Sequence, residues 1–216
     1  MEFLELVSKR RSCRKFLNKP VEKEKIIKCI EAARLAPSAC NAQPWKFIVI
    51  DSFSAAELKE KVVQEATKNI YRFSKFILQG APVIVVVVAD KPSFLSKVGS
   101  LIRNTNFYLI DIGIACEHLV LQATELGLGT CYIGWFNEQA VKKLLNVPKN
   151  MCVPLLICLG YPEENFISSD RVRLLAGSDS RKPIDEILYF QQQEQKPQLN
   201  FNTPNDRHHL NRHKQK

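Results

Sequence analysis

The sequence predicts a three-layer α/β or α+β domain, in which helices cover both faces of a central sheet. The run Val83–Val88 is apolar without alternation, as is typical of a strand buried on both faces. Helical and strand patterns interleave along the chain. Residues 103–126 form a long helical pattern that is too apolar all round for a surface helix of a small monomer. A subunit interface is the simplest cover for such a helix.

Size and composition predict one soluble domain. The chain has 216 residues, of which 45% are hydrophobic and 25% charged, so it can bury a substantial core. Its apolar run Pro82–Ala89 is far shorter than the roughly 20 residues that a helix needs to cross a bilayer. The acidic start Met1–Glu5 predicts no signal peptide. Seven cysteines without a Cys-x-x-Cys pair predict reduced thiols, and therefore a cytoplasmic protein.

The first half of the chain contains patterns for three helices and one strand. Pro20 precedes the second helix, whose apolar residues Ile26, Ile30 and Ala33 share one face. The sequence Ser54–Glu57 matches the Ser-x-x-Glu capping box and predicts the start of the third helix. The predicted elements are helices over 2–9 and 21–35, a strand at Trp45–Asp51, and a helix from Ser54 to about Tyr71.

In the second half, Gly127 and Gly129 end the long apolar helix, and Asn137 is placed to cap a short one. The predicted elements are the central strand Val83–Val88, a helix from about Arg103 to Leu126, an extended segment Thr130–Phe136, a helix from Asn137 to about Asn146, a core strand Val153–Gly160, and a final helical pattern near Pro183–Tyr189. Residues 1–190 are thus predicted to form the folded domain. Residues 191–216 form a polar tail, disordered from about residue 195.

The net charge of +9 is concentrated at the two ends of the chain. Residues 1–28 hold nine Lys or Arg against four Glu, and residues 191–216 hold five against two. The remainder is nearly neutral, with 17 basic and 16 acidic residues. A nucleic-acid binder usually spreads its charge over one face of the folded domain. The first end therefore predicts a cradle for one small anion, and the second a solvated tail.

Side chains for acid–base or metal chemistry are scarce. Of four histidines, only His118 lies in the body of the chain, inside the long apolar helix, where a hydrogen-bonded structural role is expected. The tail pair His209 and His213 has helical spacing but no nearby carboxylate or thiolate, so no metal site is predicted. The sequence from Gly127 ends a helix and is not a dinucleotide fingerprint. These observations argue against catalytic triads and favour chemistry supplied by a cofactor.

Two segments have the composition of a cofactor site. The arginine segment, Arg10–Phe16, places guanidinium groups around Ser12, and such groups suit a terminal phosphate. Taken alone, such a segment is more often a solvated basic turn after the first helix. The proline loop, residues 36–45, combines two prolines with a serine and two amides before a strand. Such a loop can present backbone amides to a flat heterocycle, although an ordinary helix-to-strand connection has the same composition.

Four motifs together resemble the FMN-dependent nitroreductase family over residues 1 to about 190. They are RRSCRKF at 10–16, APSACNAQPW at 36–45, GLGTCYIGWF at 127–136 and SRKPIDEI at 180–187. The resemblance implies an α+β fold with a mainly antiparallel central sheet. It also implies an intertwined homodimer with FMN at the interface in two equivalent sites. Part of the stretch Leu188–Phe201 is expected to cross onto the partner subunit.

The resemblance also implies roles for particular residues. The FMN phosphate and ribityl chain would be held by Arg10, Arg11, Ser12, Arg14 and, from the other end of the chain, Arg181. The flavin would be faced from the partner subunit by Pro37, Ser38, Ala39, Asn41 and Gln43. Ile133 and Gly134 would lie beside the ring, with a backbone N–H directed to N5. Asp179 stands where the family often has a basic residue, so the phosphate would depend more on Arg14 or Lys182. Asn69 is the candidate for a contact with the ring edge.

The leading functional hypothesis is an FMN oxidoreductase. NADH or NADPH would reduce the flavin, leave, and be replaced by a small acceptor such as a nitroaromatic or a quinone. Within the family, the alternative is a specialised flavin reductase or a reductive dehalogenase-like enzyme. An alternative of another class is a basic nucleic-acid or anion-binding module, supported mainly by the tail sequence Arg207–Lys216. The neutral middle of the chain counts against that module, and neither nucleic acid nor membrane is the expected partner.

Overall fold

The computed structural model of the chain describes residues 1–68, 72–90, 105–163 and 181–190. The chain divides into two compact units, Met1–Ser169 and Asp170–Lys216. The first unit contains the sheet and its helices. The predictions for Asn69, Asp179 and the tail 191–216 lie outside the described residues.

A four-stranded sheet forms the middle of the first unit. Its strands are β1 (Trp45–Asp51), β2 (Val83–Asp90), β3 (Gly129–Ile133) and β4 (Met151–Gly160). Their order is β1-β2-β4-β3, and every neighbouring pair is antiparallel. This confirms the predicted α+β class with an antiparallel sheet and excludes the parallel α/β alternative for these strands.

The apolar run in β2 is explained by burial on both sides of the sheet. Val83, Val85 and Val87 face one hydrophobic core, and the alternate residues, Ile84 and Val86 among them, face a second core. Each of these side chains is almost completely buried. Burial of one such side chain contributes about 1.5–3 kcal/mol, so a strand with two buried faces has no position for a polar residue.

Helices cover both faces of the sheet and give the predicted three layers. The first core lies between the sheet and two helices, α2 (Lys23–Arg34) and α5 (Phe107–Glu125). The second core lies between the other face and three helices, α3 (Ala56–Ala66), α4 (Arg72–Gly80) and α6 (Glu138–Leu144). A short N-terminal helix, α1 (Phe3–Lys9), contacts α5.

The long helix α5 is only half covered by its own domain. Its buried side chains lie on one face, which packs against α2 and the first core, while Phe107 and Ile110 on the other face remain 40% and 50% exposed. By length and composition alone, α5 would pass as a membrane span, and one of its faces is buried in the first core. Gly127, at φ +73°, ends it as predicted: the N–H groups of Gly127 and Leu128 bond back to Thr124 and Ala123.

The predicted capping box at Ser54 is wrong. Ser54 Oγ donates to Asp51 Oδ2 at 3.1 Å, and the helix begins two residues later with no side-chain cap. Asp51, which lies outside the motif, also accepts the N–H of Phe53 and forms a turn that competes with the cap. The helix α3 ends at Ala66 instead of near Tyr71, and Thr67 bonds back to Val63 O. The sequence analysis missed α4 altogether.

Other boundaries differ from prediction by a few residues. Asn137 caps α6 as predicted, since its Oδ1 accepts the N–H of Ala140 at 3.1 Å. The strand β3 is shorter than predicted because it ends at Ile133, and β4 begins two residues before Val153. In the second unit, residues 181–190 contain a single 3₁₀ turn, Ile184–Glu186, instead of a longer helix.

Candidate functional site

The arginine segment is fixed to the sheet by backbone contacts. Ser12 forms a parallel bridge with Thr130 of β3, and Cys13 N donates to Thr130 O at 2.7 Å. At the other end, Phe16 bridges Pro162, just beyond β4, and Leu17 N donates to Tyr161 O at 2.8 Å. The segment therefore runs extended beside the strand ends, although no strand was predicted there.

Two glycines let the segment lie this close. A Cβ at Gly129 would stand 2.7 Å from Cys13 Cβ, a distance that real Cβ atoms essentially never show. At Gly160, a Cβ would overlap the ring of Pro82 and approach Phe16 to 3.1 Å. Close packing of the segment therefore depends on the absence of side chains at these two strand positions.

The segment buries its apolar residues and presents its basic ones. Cys13 and Phe16 are buried, Arg10 and Arg14 are half-buried, and Arg11 is exposed, as is Ser12. Burial raises the pKa of the Cys13 thiol to about 11, while the nearby charges of Arg11 and Arg14 oppose that rise. The structure thus keeps the predicted phosphate residues Arg10, Arg11, Ser12 and Arg14 within one short segment, and none of the four is buried.

The predicted proline loop adopts a backbone that glycine usually provides. Cys40, Asn41 and Gln43 have φ values of 51°, 54° and 44°. Asn tolerates this left-handed region, but Cys and Gln rarely adopt it. Strain of this kind costs about 1–3 kcal/mol per residue and persists only where the surroundings impose it. The loop is therefore held in a conformation that the chain would not choose locally.

Hydrogen bonds supply that restraint. The carboxylate of Asp111 on α5, which is only 5% exposed, accepts the N–H of Ala39 at 3.0 Å. Ser38 Oγ accepts the N–H of Gln43 at 3.0 Å, and Gln43 Nε2 donates to Asn41 Oδ1 at 3.0 Å. Ser38 thus holds the loop backbone. The other predicted flavin-facing residues, Pro37, Ala39, Asn41 and Gln43, are exposed.

Ile133 and Gly134, which were predicted to lie beside the flavin ring, differ in exposure at the end of β3. The Ile133 side chain is buried in the second core, so only its backbone can face a ligand. Gly134 is exposed, and apart from its two chain neighbours no residue has an atom within 4 Å of the position that a Cβ would occupy. The chain therefore offers open backbone at Gly134, four residues beyond the Thr130 bridge.

Two acidic residues of α5 were missed by the sequence analysis. Asp111 holds the proline loop, and Glu117 contacts Arg10 and Tyr132. They are six residues apart, so α5 separates their attachment points by about 9 Å along its axis. The available signal was the occurrence of carboxylates inside an otherwise apolar helix, because such a charge is costly to retain without a partner.

The other chemistry-bearing side chains have structural surroundings. His118 Nδ1 lies 3.3 Å from Ala32 O, in keeping with the hydrogen-bonded role predicted for it. None of the seven cysteines, all of which lie in the described ranges, forms a disulfide, and Cys40 is the exposed one. Within residues 1–68, 72–90, 105–163 and 181–190, no group of three or more His, Cys, Asp or Glu residues is placed to hold a metal ion. Arg181 is exposed and lies in the second unit, so its predicted phosphate contact stays a prediction.

Comparison with known proteins defines the class. A sequence profile of the Nitroreductase family matches residues 7–161. The chain belongs to the Nitroreductase family of oxidoreductases. A relative from Methanothermobacter thermautotrophicus, provisionally named NADH dehydrogenase/NAD(P)H nitroreductase, is 30% identical over 183 residues, which cover 81% of this chain and 87% of the relative. The predicted family is thereby confirmed.

Solved structures agree with this assignment. A nitroreductase family protein from Clostridium novyi superposes with a TM-score of 0.65 at 35% identity, covering 76% of this chain and 87% of that one. A protein described as an FMN-dependent nitroreductase from Clostridium difficile gives a TM-score of 0.61 at 33% identity, covering 75% and 88%.

More distant relatives carry other names. An iodotyrosine deiodinase from Thermotoga neapolitana is 25% identical over 176 residues, covering 74% of this chain and 88% of the relative. A 5,6-dimethylbenzimidazole synthase from Rhodospirillum rubrum is 27% identical over 186 residues, covering 81% and 87%. Membership of the family therefore defines the oxidoreductase class and leaves the second substrate open.

Proposed function

We propose that this protein is an FMN-dependent oxidoreductase that takes a hydride from NADH or NADPH and passes electrons to a small acceptor such as a nitroaromatic or a quinone. The names of its relatives support the nicotinamide donor, and the C. difficile neighbour is described as FMN-dependent. The two substrates would use one pocket in turn, in ping-pong order.

One observation carries this proposal: the arginine segment joins β3 close to the open backbone of Gly134. Arg10, Arg11 and Arg14 flank Ser12 in sequence, and Ser12 forms a bridge with Thr130 of β3. Gly134 lies four residues beyond Thr130 along the chain. Four extended residues span roughly 13 Å. An anion-binding end and an open, side-chain-free end at this spacing suit a ligand that has a phosphate at one end and a flat ring at the other.

The donor set fits FMN. Arg10, Arg11 and Arg14 would hold the phosphate with charge-assisted hydrogen bonds, and the Ser12 hydroxyl would add one more. Bound FMN supplies hydride transfer, chemistry that side chains cannot perform. The Gly134 N–H would donate to the ring, and a donor at that point stabilises the charge that develops there. This role needs no titrating side chain, which agrees with the scarcity of histidine.

We also propose a homodimer in which the proline loop serves the partner's flavin. The face of α5 that its own domain leaves uncovered is apolar, and Phe3 and Leu4 of the adjoining α1 are 66% and 80% exposed. Exposed apolar side chains on two helices in contact are typical of an interface. Seven cysteines that form no disulfide further support a reducing, cytoplasmic location.

An anaerobic titration tests the proposed activity. Protein reconstituted with FMN is mixed with NADH or NADPH, and the visible absorbance of the flavin is followed. We expect bleaching by at least one nicotinamide, then recovery when a nitroaromatic or a quinone is added. Bound flavin that neither nicotinamide bleaches would contradict the proposal.

The second candidate within the family is reductive dehalogenation, favoured by the relative named as a deiodinase. The same titration separates the two functions when a halogenated phenol is included among the acceptors. Halide release with flavin reoxidation by that compound alone would favour dehalogenation. Reoxidation by nitroaromatics and quinones, without halide release, would favour the first candidate.

A further inference from the structure

Glu117 connects three elements around the arginine segment. Its Oε1 lies 3.5 Å from Arg10 Nε, and its Oε2 accepts the hydroxyl hydrogen of Tyr132 at 3.3 Å. Arg10 follows the last residue of α1, Glu117 belongs to α5, and Tyr132 belongs to β3. Each carboxylate oxygen therefore has its own partner, and the carboxylate is oriented from two sides.

Tyr132 is a dependable donor in this arrangement. Its partial burial raises the pKa of the phenol well above the ordinary value, and the charge of Glu117 adds to that rise. The phenol is therefore protonated at neutral pH and can donate to the carboxylate. Glu117 is thus held in one orientation independently of Arg10.

The contact with Arg10 is suited to orientation more than to stability. The Arg10 and Glu117 side chains are 24% and 43% exposed, and ion pairs at such exposure add little to folding free energy. The nearest atom of Arg10 is Nε, on the inner edge of the guanidinium group. The two terminal nitrogens, which make paired hydrogen bonds to phosphate, are not the atoms nearest the carboxylate.

We infer that Glu117 is a positioning residue, which holds the Arg10 guanidinium group ready for the phosphate of the flavin. This inference rests on the proposed FMN site and adds a residue to it. A free arginine side chain loses substantial rotamer freedom when it binds a ligand. Glu117, itself fixed by Tyr132, removes part of that freedom before the ligand arrives.

Glu117 also has an opposing effect, because its negative charge repels a phosphate. Two substitutions separate orientation from charge. Glu117→Gln keeps an oxygen that can accept from Arg10 and an amide that can bond Tyr132, but it removes the charge. Glu117→Ala removes both the orientation and the charge. If orientation dominates, the two variants will bind FMN differently.

The experiment compares FMN with riboflavin, which lacks the phosphate. Flavin-free protein is titrated with each by fluorescence quenching at fixed ionic strength. We expect Glu117→Ala to weaken FMN binding by about 10-fold, the scale of the side-chain freedom that an arginine loses, with riboflavin binding unchanged. Glu117→Gln should bind FMN at least as tightly as the unaltered protein. Glu125→Ala, a second carboxylate on α5, is the matched control and should change neither affinity.

Two further variants keep the inference falsifiable if Glu117→Ala folds poorly. Tyr132→Phe removes the second support of the carboxylate and should weaken FMN binding in the same direction by a smaller factor. In an Arg10→Ala background, Glu117→Ala should cause no further loss of FMN affinity, because the orienting effect of Glu117 acts through Arg10. Loss of the repelling charge can then only raise the affinity.

Several results would overturn the inference. FMN binding to Glu117→Ala that equals or exceeds that of the unaltered protein would make Glu117 only a competitor of the phosphate. An equal loss for FMN and riboflavin would make it only a structural residue. If the unaltered protein binds riboflavin as tightly as FMN, or binds neither flavin, then the proposed phosphate site itself is wrong. This result concerns the unaltered protein, so it is distinguishable from the two results for Glu117→Ala.

Discussion

The arginine segment lies extended against β3, whereas the proline loop turns through left-handed backbone conformations beside α5. The segment is held by backbone hydrogen bonds and by close packing over Gly129. The loop is held by side chains, above all by the buried carboxylate of Asp111. Packing of the segment therefore requires a glycine at position 129 of β3. The loop, by contrast, has no glycine at the positions whose backbone conformation favours one.

This difference shows two ways of fixing a binding element. Packing against a strand end distributes the restraint over many atoms, so the segment can carry exposed arginines at little cost in stability. The loop instead stores strain at Cys40 and Gln43 and depends on a few hydrogen bonds. Substitutions of the segment's arginines should therefore affect FMN binding alone, while substitutions that release the loop, such as Asp111→Ala, should affect both stability and FMN binding.

The largest expected effect is on the affinity of the protein for FMN. Arg14→Ala and Arg181→Ala should each weaken binding by about 1.5–3 kcal/mol, because each would remove charge-assisted hydrogen bonds to a phosphate. The unfolding midpoint should stay unchanged, since both residues lie at the surface in part or whole. Fluorescence titration measures the affinity. Unchanged FMN affinity in both variants would place the phosphate elsewhere.

A methyl group at position 129 should displace the arginine segment from β3. Gly129→Ala would press on Cys13, and overpacking of this kind costs about 1–3 kcal/mol. Urea unfolding checks the stability, and FMN binding should weaken in the same variant. Gly80→Ala is the matched control, since nothing lies within 4 Å of its Cβ position. Equal stability of the two variants would refute the close packing of the segment.

The buried thiol of Cys13, within the arginine segment, should make the free energy of unfolding depend on pH in the alkaline range. Burial raises the pKa of Cys13 from its ordinary value of 9.0 to about 11. Below pH 9 the thiol is protonated in both states and its contribution is fully present. As the pH rises from 9 to 11, the unfolded state ionises first, so stability falls by at most about 1.4 kcal/mol per pH unit.

Unfolding of the Cys13→Ala variant between pH 8 and 11 isolates this contribution. Its stability should fall less steeply with pH than that of the unaltered protein, whatever its stability at neutral pH. Cys40→Ala, which removes an exposed thiol from the proline loop, is the control. Parallel slopes for the unaltered protein and Cys13→Ala would argue against a buried, protonated Cys13.

The smallest effect concerns strain in the loop. Cys40→Gly should stabilise the protein by about 0.5–1 kcal/mol, because glycine adopts a φ of 51° without steric cost. Cys40→Ala retains the Cβ and should bring no such gain. Thermal unfolding of the two variants measures the difference. If they are equally stable, the loop holds no strain at this position.

Sequence reasoning succeeded where a pattern and its cause lie close together. The two-sided burial of β2 and the Asn137 cap of α6 both follow from neighbouring residues. The Ser54 capping box failed because Asp51, just outside the motif, took the hydroxyl.

Composition and resemblance predicted residues for the candidate site, but they did not predict the side chains that hold those residues in place. The arginine segment and the proline loop were found by composition and resemblance. Asp111 and Glu117 were missed because their partners, Ala39 and Arg10, are distant in sequence and meet them only after folding. The left-handed backbone of the loop was hidden for the same reason, since no glycine marks it.

The central claim is that the segment of one chain and the loop of its partner hold one FMN. A mixed dimer of one Arg14→Ala subunit and one Asp111→Ala subunit tests this most directly. If each site combines elements of two chains, one site of the mixed dimer carries both changes and the other carries neither. At an FMN concentration too low to fill either homodimer, we predict one tightly bound FMN per mixed dimer. A mixed dimer that binds no tight FMN would contradict the claim.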